Sequence, residues 1–470
     1  MLFNSYAFVF VFLPAFMAGY QLLAGSQMRN AVPVFIIVGS IAFYAWWNWH
    51  YVFLFLFSIG FNYSWGLMLR GPDRRREPRE ESRERWMLAI GIAVNVALLA
   101  YFKYRNFLAD SINSVAATHL PLPAMFLPLA ISFFTFEQIT YLTGIHSGDV
   151  RDRNFLNYGM FISFFPHLIA GPIVRYQQIN PQFNRHSTFG LRAENLVPGF
   201  MIFAIGLFKK VILADTFRAY VNPIFDGSFT PTALDAWGAT VAFTLQVYFD
   251  FSGYTDMAVG LARLFNVQFP ENFDSPYKTT SMTDLWRRWH MTLSFFLRDY
   301  IYIPLGGNRV GKLRHYFNLF ITMAIAGLWH GANWTFVLFG VIQGIVLSVN
   351  HYWHERGHRL AALWGWALTF ATFATSLTLF RAQTVTRAAQ LYASMFGLRS
   401  ASIESPFSIG RHALIRIGLA LLMVWLGPNR QAIMKWEWRN DYLYAAAFAA
   451  LAGLSLMKLA SPPAFVYFQF

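Results

Sequence analysis

The chain has 470 residues, of which 56% are hydrophobic, 19% aromatic and only 13% charged. Soluble domains carry about 25% charged residues, so the composition excludes a soluble globular enzyme and indicates an integral membrane protein. The net charge of +14 fits basic loops and interfacial anchors, or a seat for an anionic donor or lipid, and not nucleic-acid binding. The absence of cysteine excludes disulfides and an acyl-cysteine intermediate on this chain.

Each crossing of the hydrocarbon core takes about 20 apolar residues. On that measure the sequence predicts an all-α, polytopic membrane protein. Apolar spans fall near 4–22, 31–48, 50–69, 87–104, 122–143, 154–174, 196–222, 236–263, 314–332, 334–351, 360–380, 411–427 and 441–458. The first lacks a basic leader and an A-x-A-like cleavage site, so it reads as a retained span. Arg70 to Arg85 (RGPDRRREPREESRER) reads as a solvated cytoplasmic loop, which puts the N-terminus outside. The GDVRDRN stretch with Arg151 and Arg153 falls on the cytoplasmic side by parity. Arg175, Arg185 and Arg192 break simple alternation, so re-entrant helices are expected between 155 and 310. No internal repeat is visible.

Within FFPHLIAGPIVRY, Pro166, Gly171 and Pro172 interrupt a span, as a cavity wall or a plain kink. Glu137, Asp250 and Asp256 are carboxylates inside apolar stretches and need partners. The spacing of Asp250 and Asp256 does not put them on one helix face, so each is expected to pair with an arginine or cap a broken helix. Asp284 to Tyr302 reads as one amphipathic or re-entrant helix, with Trp286, Trp289, Leu293, Phe296 and Leu297 at three- and four-residue spacing. The following IPLGG ends it.

Two histidines stand out. His330 lies in an almost uncharged stretch, and an ionisable group in a span is a functional-site hypothesis. Gly327 and Gly331 flank it in GLWHG and permit close approach of another backbone. Imidazole suits a general base; a histidine bonded between packed helices is the structural alternative. His290 sits among Arg287, Arg288 and Trp289, with Ser294 beyond it. It suits polarising a carbonyl or holding a hydroxyl, or an interfacial aromatic belt. Arg287, Arg288, Ser294, Arg309 and Asn333 are weaker donor- or substrate-binding candidates, with positive-inside anchoring as the alternative for the arginines. His351, His354 and His358 (HYWHERGH) read as a wet basic helix end, and no metal site or bound cofactor is expected.

FFPHLIAGPIVRY, YFDFSGYTDMAVG, LWRRWHMTLSFFLRDYIYIPLGGNR and GLWHGANW follow one another in this order. Together with the opening LFNSYAF and closing FVYFQF, they resemble the membrane-bound O-acyltransferase (MBOAT) family, and within it the alginate O-acetyltransferase (AlgI-like) group. The resemblance implies one MBOAT domain over 1–470, with a catalytic region at about 155–350. It implies about 11–13 transmembrane or re-entrant helices around a central tunnel. His330 would stand in that tunnel, with His290 as the second catalytic position.

The implied reaction moves acetyl from a cytoplasmic donor, acetyl-CoA or an acetylated carrier, across a bacterial inner membrane. The acceptor would be a polysaccharide of alginate, cellulose or peptidoglycan type, reached through a periplasmic SGNH-type acetyltransferase. Membrane lipid is the other expected partner. Two further readings are a non-enzymatic exporter or scaffold for polysaccharide or lipid-linked sugar, and D-alanyl transfer to teichoic acid.

Overall fold

A chain in hydrocarbon must satisfy its backbone hydrogen bonds internally, which favours helices throughout so apolar a sequence. The computed structural model describes residues 1–71, 78–118, 122–123, 125–184, 189–399, 408–435 and 442–459, and among these it contains helices and no strand. Residues 72–77 of the charged segment, Arg185 and the closing FVYFQF lie outside the described residues. Contacts divide the chain into two compact units, Met1–Ala204 with Tyr254–Pro270, and Ile205–Gly253 with Glu271–Phe470.

The first unit opens with a π-helical turn, Ala7–Phe12, running into α1 (Leu13–Ala24), followed by α2 (Val32–Ala45) and α3 (His50–Met68). Then come α4 (Pro78–Ala116), α5 (Ile131–Ser147), the short α6 (Phe155–Ser163), α7 (Phe165–Leu168) and α8 (Tyr176–Phe183), and most of α9 (Ala193–Phe208). Two expectations are corrected here. Residues 78–85 are not loop but the start of α4, where Glu80 and Glu81 complement the positive end of the helix. The predicted span at 122–143 starts only at Ile131, because Pro123 and Pro128 disfavour helix around them.

The interruption expected in FFPHLIAGPI is present. Phe164 leaves the helical region between α6 and α7, and α7 lasts four residues. Glu137 finds a histidine rather than an arginine: its carboxylate lies 2.9 Å from His167 Nδ1, and both side chains are buried.

Asp152 ties the α5–α6 connection to α8. Its carboxylate accepts the Asn154 N–H at 2.9 Å, Asn157 at 2.7 Å, Asn180 at 2.9 Å and the Tyr176 hydroxyl at 3.1 Å. Burial pushes this loop carboxyl up, but the hydrogen bonds outweigh it and hold it below the usual carboxylate range.

The second unit begins at the end of α9 and includes a π-helical turn, Lys209–Ala214, α10 (Asp215–Asp226) and the N-terminal part of α11 (Ala233–Leu264). It continues with α12 (Met282–Arg288), α13 (Met291–Leu297), α14 (Lys312–His330), α15 (Trp334–Glu355), α16 (Ala362–Arg381), α17 (Val385–Met395), α18 (Arg411–Leu426), α19 (Arg430–Lys435) and α20 (Tyr442–Met457).

Among the described residues, six helical stretches are long and apolar enough to cross a membrane: 7–24, 50–68, 79–116, 193–226, 334–355 and 362–381. The other predicted spans are shorter, broken or more polar. Helix α11, for example, carries Gln246, Asp250 and Asp256 as buried groups.

Removing the Asp152 acceptor strands several donors, which costs roughly 1–3 kcal/mol. Asp152→Ala is therefore expected to lower the melting temperature of the detergent-purified protein. Because the folded carboxyl titrates below its unfolded value, the wild-type advantage is present at neutral pH and is lost as the pH falls through the folded value. Thermal melts of both proteins at neutral and acidic pH check this.

Candidate active site

The predicted single helix over Asp284–Tyr302 is absent. The segment stops at the end of α12, restarts as α13 and passes into a π-helical turn at Arg298–Tyr302. Between α12 and α13, Trp289 is extended and His290 has φ 44° and ψ 53°. That left-handed conformation costs a non-glycine residue roughly 1–2 kcal/mol.

What overrides the helical periodicity is Asn272. This residue is fully buried. Its backbone carbonyl accepts the Met291 N–H at 2.9 Å. Its Oδ1 accepts the Thr292 N–H at 3.3 Å and the Thr292 hydroxyl at 3.0 Å, and lies 3.0 Å from His290 Nδ1.

The network also fixes the tautomer. A backbone N–H can only donate, so the Asn272 atom facing Thr292 is the amide oxygen. An oxygen acceptor then requires the proton on His290 Nδ1. The neutral ring carries its lone pair on Nε2, which is buried.

Ser294 closes the break. Its hydroxyl meets the Trp286 carbonyl at 3.0 Å and the Trp289 carbonyl at 3.4 Å, groups that the end of α12 leaves without helical partners.

His330 is the last residue of α14, and Gly331 turns the chain into extended backbone. The predicted close approach is present at Gly327. A Cβ there would sit 2.4 Å from the Phe336 carbonyl oxygen on α15, so only glycine lets α14 and α15 meet at this depth.

The His330 ring is 7% exposed. Its centroid lies 5.0 Å from Trp329, 5.1 Å from Phe380 and 6.4 Å from His290, with the two imidazole planes inclined at 52°. His330 lines a narrow cavity with Val247, Phe251, Trp286, Trp289, Phe339 and Phe380. The space open to the centre of a water-sized sphere is about 10 Å³, close to the roughly 10–15 Å³ that one water needs. Phe251 reaches the second histidine as well, edge-on to His290 at 4.6 Å.

A buried polar chain holds this aromatic wall. Trp286 Nε1 donates to Gln343 at 3.1 Å, Gln343 donates to Ser376 at 2.6 Å, and Ser376 donates to the Phe373 carbonyl at 2.7 Å.

The weaker sequence candidates are spread more widely. Arg287 and Arg309 are exposed. Arg288 pairs with Asp284 at 3.2 Å and Asp274 at 3.6 Å. Asn333 caps α15 by accepting the Thr335 N–H at 3.1 Å, and donates to the Gln383 carbonyl at 2.9 Å.

Asp250 pairs with a lysine rather than the expected arginine. Lys210 Nζ lies 2.7 Å from Asp250 and 2.8 Å from Asp215. Sequence reasoning missed Lys210 and Asn272, because each acts through a partner distant along the chain.

The membrane-bound O-acyltransferase family model matches residues 9–389. The chain belongs to that family. It is 37% identical over 433 residues to the peptidoglycan O-acetyltransferase of Helicobacter pylori, covering 86% of this chain and 81% of that protein. It is 40% identical over 403 residues to the probable alginate O-acetylase AlgI of Pseudomonas putida, covering 84% and 80%. Similarity extends at 28% identity over 239 residues to the teichoic acid D-alanyltransferase of Streptococcus thermophilus, covering 48% and 58%. The chain is thus a multi-pass membrane O-acyltransferase, and the reading as a non-enzymatic exporter or scaffold is set aside.

Freeing His290 by Asn272→Leu is expected to slow acyl transfer roughly 10- to 100-fold, since about 1 Å of misplacement costs that order. Asn272→Asp keeps an acceptor and is expected to retain more activity. Initial rates at matched amounts of monodisperse protein check both.

Proposed function

We propose that this MBOAT member moves an acetyl group from a cytoplasmic donor, acetyl-CoA or an acetylated carrier, across the bacterial inner membrane. The destination is the hydroxyls of a periplasmic or extracellular polysaccharide of alginate, cellulose or peptidoglycan type, reached through an SGNH-type acetyltransferase partner. The observation that carries this reading is the meeting of two buried histidines, 6.4 Å apart by ring centroids, beside an aromatic cavity.

His330 is the general base. As the acceptor oxygen attacks the thioester carbonyl, His330 takes the hydroxyl proton. A C–O bond forms, the C–S bond breaks, and the resulting imidazolium returns the proton to the departing thiolate. His290, neutral and protonated on Nδ1, presents its Nε2 lone pair and orients the acceptor by accepting from a second hydroxyl next to the reacting one; in this form it cannot donate from Nε2 to a carbonyl. The aromatic walls keep bulk water away from the thioester.

Acetyl is favoured over D-alanyl transfer because the relatives named for acetylation are 37% and 40% identical over 81% and 80% of their length, whereas two teichoic acid D-alanyltransferases are 28% and 26% identical over 58% and 73% of theirs.

Loss of a general base costs about 10²–10⁴-fold. In a deletion strain complemented at matched membrane expression, His330→Ala is expected to abolish O-acetyl ester on surface polymers while wild type restores it. Full acetylation with His330→Ala would remove His330 from the reaction.

A further inference from the structure

The α14–α15 hairpin carries a second feature, at the end away from His330. An apolar groove of about 710 Å³ runs between the two helices, lined by Leu313, Phe317, Phe320, Ile345 and Val349, with Arg314 at its edge. Leu313 is 85% exposed and Val349 59%, so the groove opens outward from this pair of helices. In a membrane protein such a face meets acyl chains.

The charges of the helix ends beside it are one-sided. Along the sequence, Lys312, Arg314, Arg356 and Arg359 at these helix ends stand against a single carboxylate, Glu355. Glu355 is already engaged, 3.3 Å from Lys312 and accepting the Tyr316 hydroxyl at 3.1 Å. Arg356 lies over the Tyr352 ring. Arg314 lies over the Phe317 ring at 5.7 Å, and among the described residues no carboxylate pairs with it. No side chain caps the first turn of α14, where Arg314 stands, so its N–H groups add to the positive potential.

An apolar channel and a forked guanidinium at its mouth are complementary to the two halves of an anionic lipid. We propose that this groove is a binding site for one anionic phospholipid, its acyl chain along α14 and α15 and its phosphate on Arg314. The occupant sits on the helix that ends at His330, so its presence bears on how that helix is seated.

The test uses the purified full chain and retention of phosphatidylglycerol or phosphatidylcholine from mixed micelles, read by native mass spectrometry. Wild type is expected to retain phosphatidylglycerol preferentially. Arg314→Gln should lower that preference about fivefold, the worth of one basic residue near an anionic surface. Ile345→Trp, which fills the exposed groove, should reduce retention of both lipids. Equal retention of the two lipids by wild type would mean ordinary boundary lipid and overturn the proposal. So would unchanged retention in both variants, or displacement of phosphatidylglycerol by free glycerol phosphate.

Discussion

The hydrogen bonds of Asn272 are the constraint on which the candidate site depends. A run of aromatic and basic residues with helical periodicity, left to itself, continues as a helix and keeps Trp286, Trp289, His290 and Ser294 along one face. Asn272 instead binds the backbone of Met291 and Thr292 and the ring of His290. These bonds stabilise a left-handed residue that a helix would not contain. The helix breaks there, and the imidazole is left with one defined tautomer.

The second half of the site is built by an independent device. Helix α14 delivers His330 at its last turn, and the absence of a side chain at Gly327 brings α15 against it. Trp286, Gln343 and Ser376 link α12, α15 and α16 through buried hydrogen bonds, so the aromatic wall is held by polar contacts as well as packing. Buried polar groups of this kind are costly when left unsatisfied and specify a unique arrangement when satisfied.

Much of this was legible in the sequence. The long apolar stretches gave a helical membrane protein, GLWHG announced both an unusual histidine and a close helix contact, and PLGG marked a break that the structure confirms at Gly306 and Gly307, which have φ of 107° and 56°. The break at His290 was not legible, because it is imposed by a side chain before α12 and not by local propensity. The lysine partner of Asp250 and the histidine partner of Glu137 escaped for the same reason: a buried carboxylate announces that it needs a partner, but tertiary packing chooses which. Ser294 and Asn333 were singled out as weaker donor- or substrate-binding candidates, and the hydrogen bonds they make serve the backbone around the site.

In the proposed reaction His290 and His330 work as one unit. The most direct measurement is a double-mutant cycle on acyl transfer with His290→Ala, His330→Ala and the double variant, at equal amounts of folded protein. Groups that act together are strongly non-additive, so the double variant is predicted to be little worse than the more damaging single one. Losses that multiply independently, or a single variant with wild-type rate, would mean that the two histidines do not act together.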